Sequence, residues 1–366
     1  MAILSRRDIG PFVLICVSLL LARELFPYAD IHDPRILEAG YVIEEVADNL
    51  GGPTCLHWAD ENWLLVCDRD SGSIKGVWQN SAGSFSTHVL LSGLDNPHGV
   101  LTWQDPDNGT WRLIVSEEGK LSAWDIATPD AMMWRLGLPQ VLVDGVPTGN
   151  HQTNAVMDGK NGTLIWHAGS TCNVCQQEDP RNAALLWVNP WTGEHGVAAS
   201  GVRNSFDGTW VEGMGYVFTD NGRDWDGDHP DEEINLFSAG SNYGWPDDEP
   251  ETPIPAGTLG PVAVWAPHSS INGIDFRPHN SSLPGGNFCV YATVYGSWNS
   301  LLPVGHEIIR IDFTADENSP QGWSSEVSRF AVDLGTPLPL RFSPDGDLYF
   351  ATFAQGGTLY RIVESV

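Results

Sequence analysis

The chain has 366 residues, 42% of them hydrophobic, with 18 Lys and Arg against 47 Asp and Glu for a formal charge of −29. That length supports a large core, and all-β and repeat folds of this size often remain one unit. The charge repels DNA, RNA and anionic headgroups, which argues against a nucleic-acid partner.

Lysine occurs only at positions 75, 120 and 160, and a surface so acidic and lysine-poor fits a protein kept hydrated in concentrated salt, a halophilic source. At the start of the chain, Arg6-Arg7 precede fourteen apolar residues, 9–22. The run is short for a spanning helix and of the length of a signal h-region, and the start resembles a twin-arginine signal. A cleaved signal and an uncleaved membrane anchor through residues 9–22 both remain open. Either places the body at the cell surface or outside the cell, so residues 1–30 are read as an export signal or signal anchor and residues 31–366 as the folded unit. The sequons at Asn108, Asn161 and Asn280 agree with export.

The cysteines follow from that location. Cys55 and Cys67 flank the hairpin-like CLHWADENWLLVC, which suits a bridge between paired strands. Cys172 and Cys175 form a C-x-x-C with no second pair at zinc-site spacing, so a local disulfide is expected. Cys289, in NFCVYATVY, reads as a buried free thiol.

From residue 52 onward β-branched and aromatic runs alternate with Gly, Pro, Asn and Asp, without helical periodicity. A small or polar lead-in, two strands, and a third apolar run recur from Gly52, Asn96, Asn150, Arg203, His268 and Pro337. Repeated antiparallel units of this kind predict a β-propeller with six blades, all-β and a single domain. The first strand of each unit would line the central channel. Its lead-in residue would then stand at one mouth: Thr54, His98, His151, Arg203 with Asn204, Ser270 and Leu338. The stretch TDNGRDWDGDHPDEEINLF, from Thr219, crowds acids into a loop of the fourth unit able to reach that mouth. Either a salt-screened acidic surface or a bound cation accounts for such crowding.

The motifs GSTCNVCQQEDPRNAALLWVNP, SGVRN, FTDNGRD, DEEINLFSAGSNYGWP, YGSWN and SPDGDLYFATF resemble, in order and over about residues 38–363, the sorbosone- and pyranose-dehydrogenase-like members of the PQQ-dependent sugar dehydrogenases related to soluble glucose dehydrogenase. The resemblance implies a six-bladed propeller that binds PQQ and Ca²⁺ at the channel mouth. It implies oxidation of a sugar or polyol by hydride transfer to the quinone, with electrons passed to an external acceptor. His151 matches the family's catalytic histidine, and a neutral imidazole suits a general base. Arg203 and Asn204 match the Arg-Asn pair that contacts the quinone oxygens and a carboxylate, work suited to a forked, permanent cation. Gly222 and Arg223 stand where main-chain oxygens hold the cofactor's Ca²⁺. Asp231, Glu232 and Glu233 match a second, structural calcium site of hard oxygens. His98 is a further cofactor contact, while Asp224, Asp226 and Asp228 read as solvated charge.

Four positions depart from the family: Asn154, Tyr295, Ser300 and Thr336 stand where relatives carry cations or His. Three cofactor carboxylates would then face few cations, and Arg341 would compensate only if the register slipped. The alternative to the enzyme is a non-catalytic, calcium-stabilised propeller that binds a glycan or protein at its mouth.

Overall fold

The computed structural model describes residues 33–80, 83–127, 134–225, 229–247, 255–297, 304–319, 321–354 and 356–365. The segment read as a signal or anchor lies outside them, as do Asp226, Asp228, Trp298 and Ser300.

The strands form six antiparallel sheets. Blade 1 runs from its inner strand outward as Pro53–Trp58, Trp63–Asp68, Ser73–Gln79 and Phe85–Ser92; blade 2 as Gly99–Gln104, Trp111–Glu117, Lys120–Ile126 and Gln140–Val143. Blade 3 is Thr153–Asp158, Leu164–Ala168, Ala184–Val188 and His195–Ser200; blade 4 is Gly208–Val211, Gly215–Asp220, Glu232–Leu236 and Ala263–Trp265. Blade 5 is Ile271–Phe276, Cys289–Val294, Glu307–Ala315 and Trp323–Val332, edged by the short Arg35–Ile36; blade 6 is Pro337–Phe342, Leu348–Thr352, Thr358–Glu364 and, from the start of the chain, Tyr41–Ala47. Each inner strand touches the next, and blade 6 returns to blade 1. The molecule is a six-bladed β-propeller.

The second strand of each blade is the most hidden, because sheets cover both its faces. WLLVCD of blade 1 and CVYATV of blade 5 are buried at every position, and buried strands of this kind read as continuous apolar runs. Between blades 2 and 3, Leu101, Trp103 and Ile114 pack against Val156, Leu164 and Trp166. Burying each such aliphatic side chain stabilises the fold by about 1.5–3 kcal/mol. The single polar atom of Trp166 is satisfied there, its Nε1–H donating to Ser116 Oγ at 2.8 Å.

Two features depart from the sequence reading. The blades have four strands where three were legible, since outer strands such as FSTHVLLS are half exposed and carry no strong apolar signal. The ring is also closed by Tyr41–Ala47, upstream of the first recognised unit, with Ile43 opposite Ile362 and Glu45 opposite Tyr360.

All three cysteine expectations hold. Cys55 and Cys67 are bonded across paired strands, Cys172 and Cys175 are bonded within their loop, and Cys289 is a buried thiol. Inside the channel Arg341, from blade 6, reaches across to Asp207 at the head of blade 4 with two parallel contacts of 2.7 and 2.8 Å. That arginine is therefore spent inside the channel and does not compensate at the mouth.

Candidate active site at the channel mouth

Inner strands leave the mouth and second strands return to it, so the loop after each second strand rims the same opening. Blade 1 contributes Arg69, its guanidinium 4.3 Å over the ring of Phe353 from blade 6. Phe353 meets Tyr295 of blade 5 edge-on at 6.2 Å. Blades 2, 3 and 4 supply His98, His151, and Arg203 with Asn204, as the lead-in reading expected. The cationic and aromatic arc of Arg69 and Phe353 was not anticipated. Its only sequence signal is position: both lie just past the ends of second strands.

His151 is partly buried, with its main-chain N–H on the Ser170 carbonyl. Its Nδ1 lies 3.1 Å from the Ser170 carbonyl oxygen and 2.9 Å from Ser170 Oγ. The Ser170 hydroxyl spends its hydrogen on the Cys172 carbonyl at 2.8 Å, so both Ser170 oxygens are acceptors towards the ring. The proton therefore sits on Nδ1 and the lone pair on Nε2. Burial first, then the charge of Arg203, hold the ring down to a pKa of about 3, so it is neutral throughout the neutral range. His98 is similar: its Nδ1–H donates to the Asn96 carbonyl at 2.9 Å, and burial brings its pKa to about 4.

Asp220 fixes the backbone of the Arg-Asn pair, Oδ2 accepting from Arg203 N at 2.9 Å and Oδ1 from Asn204 N at 2.6 Å. Asn154, the first of the family departures, donates to Asn204 Oδ1 at 3.2 Å and to the Ser205 carbonyl at 2.8 Å. Asn154 thus orients the Asn204 amide. Thr336, another departure, accepts the Ala354 N–H through Oγ1 at 2.9 Å and braces the Phe353 loop.

The Arg203 guanidinium is only 4% exposed and already engaged. Its Nε donates to Asn173 O at 3.1 Å, Nη1 to Asn221 O at 3.1 Å, and Nη2 to Asn173 Oδ1 at 2.9 Å and Asp224 Oδ2 at 3.0 Å. Asp224, expected to be solvated charge, is thus the counter-ion of the principal arginine.

The acidic loop resolves into separate jobs. Both Glu232 oxygens accept main-chain N–H groups, from Gly222 at 3.1 Å and Ser270 at 3.0 Å, while burial raises its pKa to about 7. Glu233 is the next residue of the strand, so its side chain leaves the opposite face, and it accepts from Asn235 Nδ2 at 3.0 Å. Asp231 is exposed. Asp220, Asp231 and Glu233 line one small pocket with Arg203 and Arg223, so these acids share that space with guanidinium groups. Among the described residues no three His, Cys, Asp or Glu side chains converge to hold a metal, and Asp231, Glu232 and Glu233 do not form a carboxylate cage.

No protein-family model matches the chain. A curated relative, an uncharacterized protein of Borreliella burgdorferi, is 27% identical over 311 residues, 75% of this chain and 77% of that one. Among solved structures, the holo form of the pyranose dehydrogenase PQQ domain from Coprinopsis cinerea superposes with a TM-score of 0.75 at 19% identity, covering 91% of this chain and 98% of that one. A calcium structure of a Trichoderma reesei protein of Carbohydrate-Active Enzymes Family AA12 gives 0.73 at 17% identity over 91% and 97%. The PQQ-bound aldose sugar dehydrogenase of Streptomyces coelicolor gives 0.67 at 19% identity over 90% and 99%. In fold, the chain is a propeller of the kind these sugar dehydrogenases share.

Proposed function

We propose that the chain is a quinoprotein dehydrogenase that oxidises a CH–OH group of a sugar or polyol at the channel mouth, with PQQ as cofactor. The observation that carries this reading is His151, whose tautomer is set by Ser170 so that an unprotonated Nε2 remains at the mouth of a propeller of this fold. The surrounding groups suit a flat, multiply anionic ring: the Arg69 guanidinium, which also meets Asp70 at 2.9 Å, ring nitrogens at His98 and His151, an amide at Asn204, and aromatic faces at Tyr295 and Phe353, with the engaged Arg203 guanidinium as a fixed positive charge felt at His151. PQQ, when bound, supplies the hydride acceptor.

The chain's own residues do the rest. His151 Nε2 takes the hydroxyl proton as the C–H hydride departs, leaving a carbonyl product. Ser170 accepts from Nδ1–H and so stabilises the imidazolium that forms. The low resting pKa keeps the lone pair available above about pH 3, while Asp224, 3.0 Å from Arg203, offsets the cation that opposes protonation. Calcium enters this reading through the main-chain oxygens of Gly222 and Arg223, since both oxygens of the neighbouring Glu232 are committed to backbone N–H groups. An external electron acceptor would complete the turnover, and export to the cell surface is the matching location.

The test is a titration of PQQ, with and without Ca²⁺, into the purified full chain at high salt, followed by dye reduction with a panel of aldoses. Calcium-dependent binding with sugar-dependent reduction is expected. His151→Gln should bind PQQ normally and lose turnover by about 10²–10⁴-fold. A folded protein that binds no PQQ at micromolar concentration overturns the reading and turns attention to a glycan or protein ligand.

A further inference from the structure

Several motifs of the mouth meet on one residue that the mechanism above does not use. Asn173 is the second residue of CNVC, a motif whose legible content in the sequence was only its disulfide. Its main-chain oxygen accepts from Arg203 Nε at 3.1 Å and from Trp245 Nε1 at 3.2 Å. Its Oδ1 accepts from Arg203 Nη2 at 2.9 Å and from Asp224 N at 2.8 Å, and its Nδ2 donates to Asp224 O at 3.1 Å. One asparagine thus grips both ends of the Asp224 backbone, two nitrogens of Arg203, and the indole of the NYGWP segment.

Five contacts from one loop residue require that the loop not move. Asn173 lies between the half-cystines Cys172 and Cys175. Gln177 closes the same loop from outside, its Oε1 accepting from Thr171 N at 2.9 Å and its Nε2 donating to Cys175 O at 3.4 Å. On the other flank the Cys172 carbonyl accepts the Ser170 hydroxyl, the group that receives the His151 Nδ1–H. The disulfide therefore spans the segment that orients Arg203 on one side and His151 on the other. Both half-cystines are partly exposed, within reach of a small reductant.

We infer that Asn173 is the positioning residue for the Arg203 guanidinium, and that the Cys172–Cys175 bridge is the brace that keeps it so. The inference rests on the reading of the mouth as an anionic-cofactor site only for its consequence, not for the brace itself. Opening the bridge needs a dithiol: two electrons and two protons pass to the sulfur pair, giving two thiols, while the dithiol closes to its own disulfide. Asn173 then loses its fixed loop, and the four N–H contacts of Arg203 lose two of their acceptors.

The experiment uses the purified full chain with ¹⁵N-labelled arginine. The Arg203 Nε–H resonance is the one missing from Arg203→Lys, and its hydrogen exchange is compared in the oxidised protein, after dithiol treatment, in Cys172→Ser/Cys175→Ser and in Asn173→Ala. Exchange at Arg203 Nε–H should quicken by about tenfold or more after dithiol treatment and in the double serine variant, the loss of roughly one hydrogen bond, while Asn173→Ala, which keeps the main-chain acceptor of Nε–H and removes the Oδ1 acceptor of Nη2, should quicken exchange of the Arg203 Nη2 hydrogens. Arg341, held across the channel by Asp207, reports whether the fold survives, and its Nε–H should not change. The double variant should be insensitive to dithiol. A second arm titrates PQQ with calcium, read by tryptophan fluorescence, and affinity should fall about tenfold in step with the exchange. Unchanged Arg203 exchange in all three states overturns the brace. Quickened exchange with unchanged PQQ affinity overturns its role in cofactor positioning. A wild-type protein that binds no PQQ while Arg203 loosens on reduction sinks the proposed function and supports the brace.

Discussion

Asp207 and Arg341 show what single residues decide in this channel. The pair is bidentate and buried, with side chains 8% and 12% exposed, so removing one partner strands the other charge in the interior. Asp207→Asn should destabilise the protein by about 3–5 kcal/mol, measured by urea unfolding, with the double variant Asp207→Asn/Arg341→Met tested beside it as the uncharged control. A loss below about 1 kcal/mol would mean that Asp275, whose buried carboxyl feels Arg341, takes over as counter-ion. The histidines make a second residue-scale prediction. His57 and His167 have pKa values of about 3, as His151 does, and His98 about 4, all lowered first by burial. In the unfolded chain they take up protons near the ordinary value of 6.5. Their contribution to stability is therefore present above pH 6.5 and is lost as pH falls towards the folded values. Glu232, raised to about 7, acts in the opposite sense, its contribution fading as pH rises through that value. Four groups against one should leave stability falling between pH 6.5 and 5, by on the order of 1 kcal/mol or more per unit. Urea midpoints that stay level across that interval would contradict this account.

At the scale of elements, the ring depends on a strand from the start of the described chain. Tyr41–Ala47 is the outermost strand of blade 6, paired from Tyr41 with Glu364 to Ala47 with Leu359. Its side chains include Ile43 and Tyr41, which pack against the core shared by blades 5 and 6. Without it, Thr358–Glu364 becomes an unpaired edge, a template for joining another chain. Deleting residues 34–47 should lower the melting temperature and produce concentration-dependent association on size-exclusion chromatography. A monomeric variant with unchanged melting would show that the ring is closed by the inner strands alone. The mouth loops obey the same economy: the loops after the second strands carry the ligand-facing groups, while the sheets behind them supply the rigidity.

For the whole molecule, the charge of −29 is spread over a body whose core is apolar and whose buried acids are paired with arginines or hydrogen-bonded. Surface repulsion of that size is screened within about 8–10 Å at physiological salt and within about 3 Å at 1 M. We expect the melting temperature to rise steadily between 0.1 and 2 M KCl in the manner of a protein adapted to salt, with sorbitol as a neutral control. A melting temperature that does not respond to salt would remove the halophilic explanation of the composition.

The periodic return of small or polar lead-ins before apolar strands was enough to count six blades and to put His98, His151, Arg203 and Asn204 at one mouth, because strand order and channel position follow directly from local patterning. Cysteine spacing likewise gave both bridges, since each pair lies close in sequence. What local patterning cannot carry is partnership between distant segments. Nothing near Tyr41 announces that it closes the ring against Glu364, and nothing near Asn173 announces that it holds Arg203, Asp224 and Trp245. The acidic loop is the sharpest case. Its composition suits a carboxylate cage, but strand alternation sends Glu232 and Glu233 to opposite faces, and the backbone N–H groups of Gly222 and Ser270 claim the buried one. Residue types and their order determined the fold and the chemistry on offer; which charges meet, and which are already spent on the protein itself, was decided only when the six blades closed.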